Sequence, residues 1–424
     1  MAGQEVQAGG ITGGMHWLWP DRANLRRANR YVIPALVLLY PVLGSVNSIL
    51  AFVLMGFGLL VLVFYRPAIG FTVEARLVAL ALAAFFAAEA LSGLINWRGW
   101  PSLREIAENV TFLGFLPFLA LVVRGRHSLM AALASFAPIA GMLALAVGAW
   151  QVWAIGIRAQ GVAGNAAIFG VTVAIVYAFT LVSIMRRNSF LPMFTNYLGA
   201  ICAAGAILLS STRALWPIIV LFPLIFILLP SFGVVRRPSR RSLFAIVLLL
   251  ILAAAIVVAA GRDRIGEAIR DIAAAENGQM MTPLGKRIVV WKTAIATIPE
   301  HPLIGFGPDS PARVMEERTA QFGGETIFFS HFHNFVLTEM IRAGLLGTLA
   351  VLAVLLLPLL SLRHLGSDET SGLAGRALAC TLIAFGLSGS TNILFDHDIM
   401  DSLFTVSIAT LVYLAVSGKR ETRT

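Results

Sequence analysis

Arg158 stands in Ile155-Gly156-Ile157-Arg158-Ala159-Gln160-Gly161, directly after a long apolar run. Arg213 is the lone charge between two further runs, in Ser210-Ser211-Thr212-Arg213-Ala214-Leu215-Trp216. A cation at such a boundary has to find an anion or water, and ionisable side chains at apolar spans are functional candidates by default. Snorkelling toward lipid phosphates is the plainer use of the same side chains. A polar stretch further on carries Gly285-Lys286-Arg287-Ile288-Val289-Val290-Trp291, then Pro299-Glu300-His301-Pro302-Leu303-Ile304-Gly305-Phe306-Gly307, then Ser330-His331-Phe332-His333-Asn334-Phe335. Arg287 by itself reads first as a solvated surface charge. His331 and His333, two residues apart, point to different sides of a helix and make a poor metal pair, unlike the i, i+4 pair of a zinc protease. Asp396-His397-Asp398 reads as an interfacial cap at the start of the last helix. Glu89, and Glu339 with Arg342 at i, i+3, are candidate buried charges; pairing within one helix face is the reading for the latter two, while Glu89 either faces a cavity or pairs with an outer arginine.

The elements that must hold these residues are membrane spans. Of 424 residues, 58% are hydrophobic and 13% charged, about half the charged share of a soluble domain. The mean hydropathy of +0.83 extends over the whole chain, which excludes a soluble enzyme with one anchor. Runs long enough to cross ~30 Å of hydrocarbon occur at about 31–46, 48–65, 77–95, 106–123, 128–157, 165–185, 195–212, 214–232, 242–260, 335–361, 375–395 and 402–417. This predicts an all-α polytopic membrane protein of about 12 transmembrane helices: a tail over 1–30, nine spans within 31–260, one long loop over 261–334, three spans within 335–417, and a tail over 418–424.

Alternating the connections gives the face with the termini 19 cations against 6 acids, and leaves 13 cations and 16 acids for the other face and the spans. Because Lys and Arg in short loops stay cytoplasmic, both termini are expected in the cytoplasm. The net charge of +10 therefore reports orientation and not nucleic-acid binding. Arg158, Arg213 and Arg287 are cations on the face where the rule makes them scarce. The long loop reads as a helix over about 262–276, a polar break, an amphipathic helix over about 286–298, and a Pro/Gly stretch leading to the tenth span. A loop of that length in a compact bundle is usually functional or has its own structure. Cys202 and Cys380 both lie inside apolar runs and read as core residues.

Taken in chain order, these pieces resemble the membrane family of O-antigen ligases and O-antigen polymerases. The matching residues are the Arg158 segment with Gly161 and Asn165, the turn Ser211-Thr212-Arg213-Ala214, Arg287-x-x-x-Trp291 with Gly305-x-Gly307 downstream, and His333-Asn334-x-x-Leu337 running into Gly344-Leu345-Leu346-Gly347. The resemblance covers roughly residues 150–350. It identifies the superfamily and separates ligase from polymerase poorly; chain length, the single large loop and the Arg/His placement look more like the ligases.

The resemblance implies a multispan, GT-C-like glycosyltransferase of the bacterial inner membrane with a periplasmic active site. Its donor would be a glycan on undecaprenyl pyrophosphate. Its acceptor would be a sugar hydroxyl of lipid A-core for a ligase, or another lipid-linked repeat for a polymerase. Arginine presents a planar fork suited to phosphate oxygens, so Arg158, Arg213 and Arg287 would hold the diphosphate and stabilise charge developing on it. A neutral histidine within reach can take the acceptor's proton. His333 is the choice because it fits the His-Asn element, with His331 the runner-up. Lys286, Trp291, His331 and Asn334 would line the substrate. No cofactor and no metal are expected, since the first outer loop, near Gly44 to Ser48, contains no acid. A lipid or polysaccharide transporter is the competing class; it would place charges at the bilayer midplane and show related halves.

Overall fold

The computed structural model describes residues 22–65, 71–122, 126–186, 192–228, 266, 270–274, 276–392 and 394–416. Among them the regular structure is helical throughout: α1 (Arg22–Leu38), α2 (Ser45–Tyr65), α3 (Val73–Ile95), α4 (Trp100–Val122, with a 3-10 stretch Asn109–Gly114), α5 (Arg126–Trp150), α6 (Ala166–Met185), α7 (Met193–Leu209), α8 (Ile218–Leu228), α9 (Pro283–Thr297), α10 (Ser310–Arg318), α11 (Phe335–Arg342), α12 (Gly344–Leu356), α13 (Glu369–Thr391) and α14 (Asp398–Val416). Eight helices among the described residues are long and apolar enough to cross a membrane: Ser45–Phe64, α3, α4, Ser128–Ile155, α6, Gly344–His364, α13 and α14. The chain is an integral membrane protein. Met193–Leu209 and Arg213–Leu228 are shorter apolar helices. The span expected at 242–260 lies outside the described residues.

A helix that is apolar all round has no face to give to headgroups or water and belongs inside a bundle. α6 and α14 follow this rule, with nearly every side chain buried. α6 packs on α5, α7 and α13, while α14 packs on α13, α2 and α4. α2, α3 and α12 bury a much smaller share of their residues and form the rim. Cys202 and Cys380 are free and buried in this core.

The long loop has its own small core. Val289, Val290 and Ala294 of α9 meet Val314 and Met315 of α10, Ile341 of α11, and Phe306, Ile327 and Phe332 of the connections. The helix expected over 286–298 starts earlier, where Thr282 caps it by accepting from the Gly285 amide at 3.1 Å and Pro283 follows. α10, within the expected Pro/Gly stretch, had no counterpart in the sequence reading. Of the helix expected over 262–276, only part is described, and residues 270–274 are helical.

The expected tenth span, 335–361, is two elements. α11 carries Glu339 and Arg342 and belongs to the loop lobe; the span begins at Gly344. Gly344 has φ +62°, and a Cβ there would lie 2.4 Å from the Leu303 carbonyl carbon. Only glycine makes that break at that closeness. The segment Pro302–Gly307 laces the junction: the Phe306 and Gly307 amides donate to the Ile341 and Arg342 carbonyls at 2.8 and 3.1 Å, and the Leu345 and Leu346 amides donate to the Pro302 and Leu303 carbonyls at 2.9 and 3.2 Å. These bonds satisfy the open ends of both helices. Gly305-x-Gly307 and Gly344 of the sequence motif are thus backbone devices.

Candidate functional site

The histidine segment precedes α11. Asn334 caps that helix, its side chain accepting from the Leu337 amide at 3.1 Å, so its oxygen serves the fold. The Trp291 indole N–H donates to the Phe332 carbonyl at 2.8 Å, which seats the segment on α9. His333 takes a left-handed backbone, φ +52°, a strained conformation for a histidine of the kind that collects at functional sites. Its ring stands edge-on to Phe329 at 4.7 Å and to His331 at 4.5 Å.

The two rings differ in their partners. His331 places Nδ1 2.9 Å from the Ser330 hydroxyl and Nε2 3.0 Å from Oδ1 of Asn392. His333 Nδ1 is buried without a hydrogen-bond partner. Burial, the His331 ring and the Arg287 charge together press the His333 pKa down to about 4. Burial and Arg287 also lower His331, against the opposing pull of Asn392. Both imidazoles are therefore neutral at neutral pH, the state a proton acceptor needs.

Arg287 is half-buried on α9, and its guanidinium is depressed by burial and by the like charge of Arg213. Arg213 follows a turn in which Ser211 has φ +54°. Arg158 donates from Nε and Nη2 to the Ser210 carbonyl at 3.1 and 2.9 Å, fastening its loop to the same turn. The same loop is held below by Gln151, whose Oε1 accepts from the Gln160 and Gly161 amides at 2.9 Å. Asn165 caps α6 by accepting from the Ala167 amide at 2.9 Å. Lys286 is half-buried beside Arg287. The structure thus brings Arg287 of the loop lobe, with the two histidines, Trp291 and Asn334 on the same lobe, beside Arg213, to whose turn Arg158 is fastened.

A second charged cluster was legible only as fragments. Arg342, whose side chain is 4% exposed, lies 2.9 Å from Glu89 of α3, 2.8 Å from Asp396 and 3.5 Å from Glu105 of α4. Its carbonyl accepts from the Ser92 hydroxyl at 2.7 Å. The pairing expected between Glu339 and Arg342 along one helix face is replaced by pairing across elements; Glu339 stands in the cluster with one carboxylate oxygen unpartnered. Glu89 joins Arg342 and not Arg158, Arg213 or Arg287. Asp396 is not a helix cap: it turns inward with φ +66°, and burial, only partly opposed by Arg342, pushes its carboxyl up to about 7. Asp398 begins α14 beside His397, 3.0 Å away.

Asn392 was missed in the sequence. It ends α13 in extended conformation, φ −153°. With His331, Phe335, Thr338, Glu339, Leu394, Phe395 and Asp396 it lines a narrow cavity of about 10 Å³, room for a single water molecule. No sequence signal distinguishes it within Ser390-Thr391-Asn392.

Residues 198–352 match the family described as O-antigen ligase. That segment contains Arg213, Arg287, both histidines and Arg342, while Arg158, Glu89, Asn392 and Asp396 lie outside it. An uncharacterized protein of Haemophilus influenzae is 27% identical over 323 residues, covering 72% of this chain and 77% of that protein. Over residues 198–352, and there alone, the chain is similar to the O-antigen ligase family.

Proposed function

We propose that this protein is an O-antigen ligase of the bacterial inner membrane, with cytoplasmic termini and a periplasmic site, that moves a glycan from undecaprenyl pyrophosphate to a sugar hydroxyl of lipid A-core. The observation that carries the reading is the convergence of Arg213 and Arg287 with two neutral histidines at one end of the bundle. A diphosphate leaving group is already good; its difficulty is charge, which fixed guanidinium forks stabilise as it develops. Arg213 and Arg287 take that part, with Arg158 and Lys286 adding positive charge.

His333 is the base. Its Nδ1 is the ring nitrogen with no donor, whereas both nitrogens of His331 are engaged. The acceptor hydroxyl gives its proton to Nδ1 while its oxygen bonds to the sugar's C1 and the C1–O bond to the diphosphate breaks with its electron pair. Nδ1 is closed to solvent, so acceptor binding turns the ring or moves Phe329. In-line attack inverts the anomeric carbon; a product that keeps the donor's configuration excludes single displacement. The reaction is metal-independent in this reading, because the acids that would hold a divalent ion are gathered around Arg342. Full transfer in excess EDTA supports it, and loss restored by magnesium overturns it.

The deciding experiment is a deletion strain examined for lipopolysaccharide by gel. Free lipid-linked chains beside bare core mark a ligase, and single repeats on core mark a polymerase.

A further inference from the structure

We infer that Asn392 is the positioning residue that decides which of the two histidines acts as base, by locking His331 in one neutral tautomer. The inference rests on the general-base reading above. A side-chain amide oxygen only accepts hydrogen bonds, so the 3.0 Å contact from Asn392 Oδ1 requires the proton of His331 to be on Nε2. Nδ1 of His331 is then a lone pair, and it accepts from the Ser330 hydroxyl at 2.9 Å. A second proton on His331 would have to reverse that bond, turning the Ser330 hydroxyl from donor to acceptor, so both ring nitrogens of His331 are already engaged. His333, 4.5 Å away, keeps one nitrogen unpartnered and inherits the role. The Asn392 carbonyl also acts on the His333 ring.

The surroundings make the choice of an amide meaningful. The charged and titratable groups around the pair are Arg287 from α9, Glu339 from α11, and Asp396 from the α13–α14 connection. Glu339 and Asp396 line the same cavity as His331 and Asn392; Asp396 is paired with Arg342 at 2.8 Å, while Glu339 has one carboxylate oxygen without a hydrogen-bond partner. A carboxylate at position 392 would add a full negative charge directly on the His331 ring. An amide keeps the hydrogen-bond geometry and leaves the ring neutral, as the orienting group of a histidine should when no imidazolium is wanted at rest.

The test uses the full-length protein in nanodiscs with Asn392→Asp and Asn392→Ala. Transfer is followed from a membrane extract of lipid-linked glycan to purified lipid A-core across a pH series, and histidine titration is followed by NMR of the 13C-labelled rings, assigned with His331→Gln. With Asn392→Asp, the first proton should enter the pair about 1–3 pH units higher, and the acid limb of kcat should rise with it. With Asn392→Ala, kcat should fall roughly 10–100-fold with KM for the donor unchanged. Unchanged histidine titrations and an unchanged pH profile in Asn392→Asp overturn the inference, even where overall activity drops. The ring titration does not depend on turnover. Full activity in a His333 variant would therefore defeat the general-base reading without touching the Asn392 result.

Discussion

Arg342 and the Arg213–Arg287 pair lie at the same end of this bundle and differ in what surrounds them. Arg342 is enclosed by Glu89, Glu105 and Asp396, drawn from three other elements. Arg287 has Arg213 and the histidine pair as its charged and titratable neighbours. In the first group positive charge is outnumbered by acids, and the cation holds elements together. In the second, Arg287 faces another cation and two neutral imidazoles. A buried arginine does not mark a binding site by itself; the sign of the charges around it is what separates the two environments.

Substitutions can break this contrast. The largest expected effect is His333→Asn, chosen because asparagine tolerates the left-handed backbone. Transfer should fall about 10²–10⁴-fold, while thermal stability and binding of undecaprenyl pyrophosphate persist; retained turnover would remove His333 from the chemistry. Arg342→Ala should act on the fold instead, costing about 3–5 kcal/mol because buried carboxylates lose their partner. Thermal unfolding in detergent reads this, and a stable but inactive Arg342 variant would erase the distinction between the groups. Arg287→Ala should leave stability near that of the parent and lower kcat roughly 10²–10³-fold, with Arg287→Lys recovering little because the fork is lost.

Smaller effects sharpen the contrast. The folded His333 pKa of about 4 lies below the ordinary histidine value of 6.5. The base therefore stays neutral as pH falls through 6.5 and is lost only near 4, so the acid limb of activity should lie well below pH 6. Removing the Arg287 charge by Arg287→Gln should move that limb upward, measured as residual activity against pH. Smallest is Trp291→Phe, which deletes one hydrogen bond to the Phe332 carbonyl and should cost about 0.5–1.5 kcal/mol, with a modest loss of turnover as the histidine segment loosens.

Much of the bundle was legible because a membrane span declares itself in composition. α2, α3, α5, α6, α13 and α14 lie on apolar runs read from the sequence. The break at Gly344 was not legible: α11 continues the apolar stretch of α12, and its separation depends on a backbone contact with Leu303. The placing of Arg158 and Arg213 at the ends of apolar runs could be read from the sequence, as could the His-Asn element. The sequence ranks His333 above His331 on the His-Asn element alone; the partners at Ser330 and Asn392 that distinguish the two rings come only with folding. The fate of Glu89 was equally hidden, since its partner is 253 residues away.

That separation bears on how the chain is made. α3 leaves the ribosome long before α11, so Glu89 must wait through the synthesis of more than half the protein for the guanidinium that will hold it. A charge within a span costs about 2.5–3.5 kcal/mol at its centre, which favours keeping the Glu89 end of α3 near the headgroups in the interval. The arrival of Arg342 then fastens α3, α4 and the α13–α14 connection to the lobe that carries the histidines. The end of the bundle that carries the histidines thus closes late in synthesis, and a chain interrupted before Arg342 would lack the cation that ties Glu89 and Glu105 together.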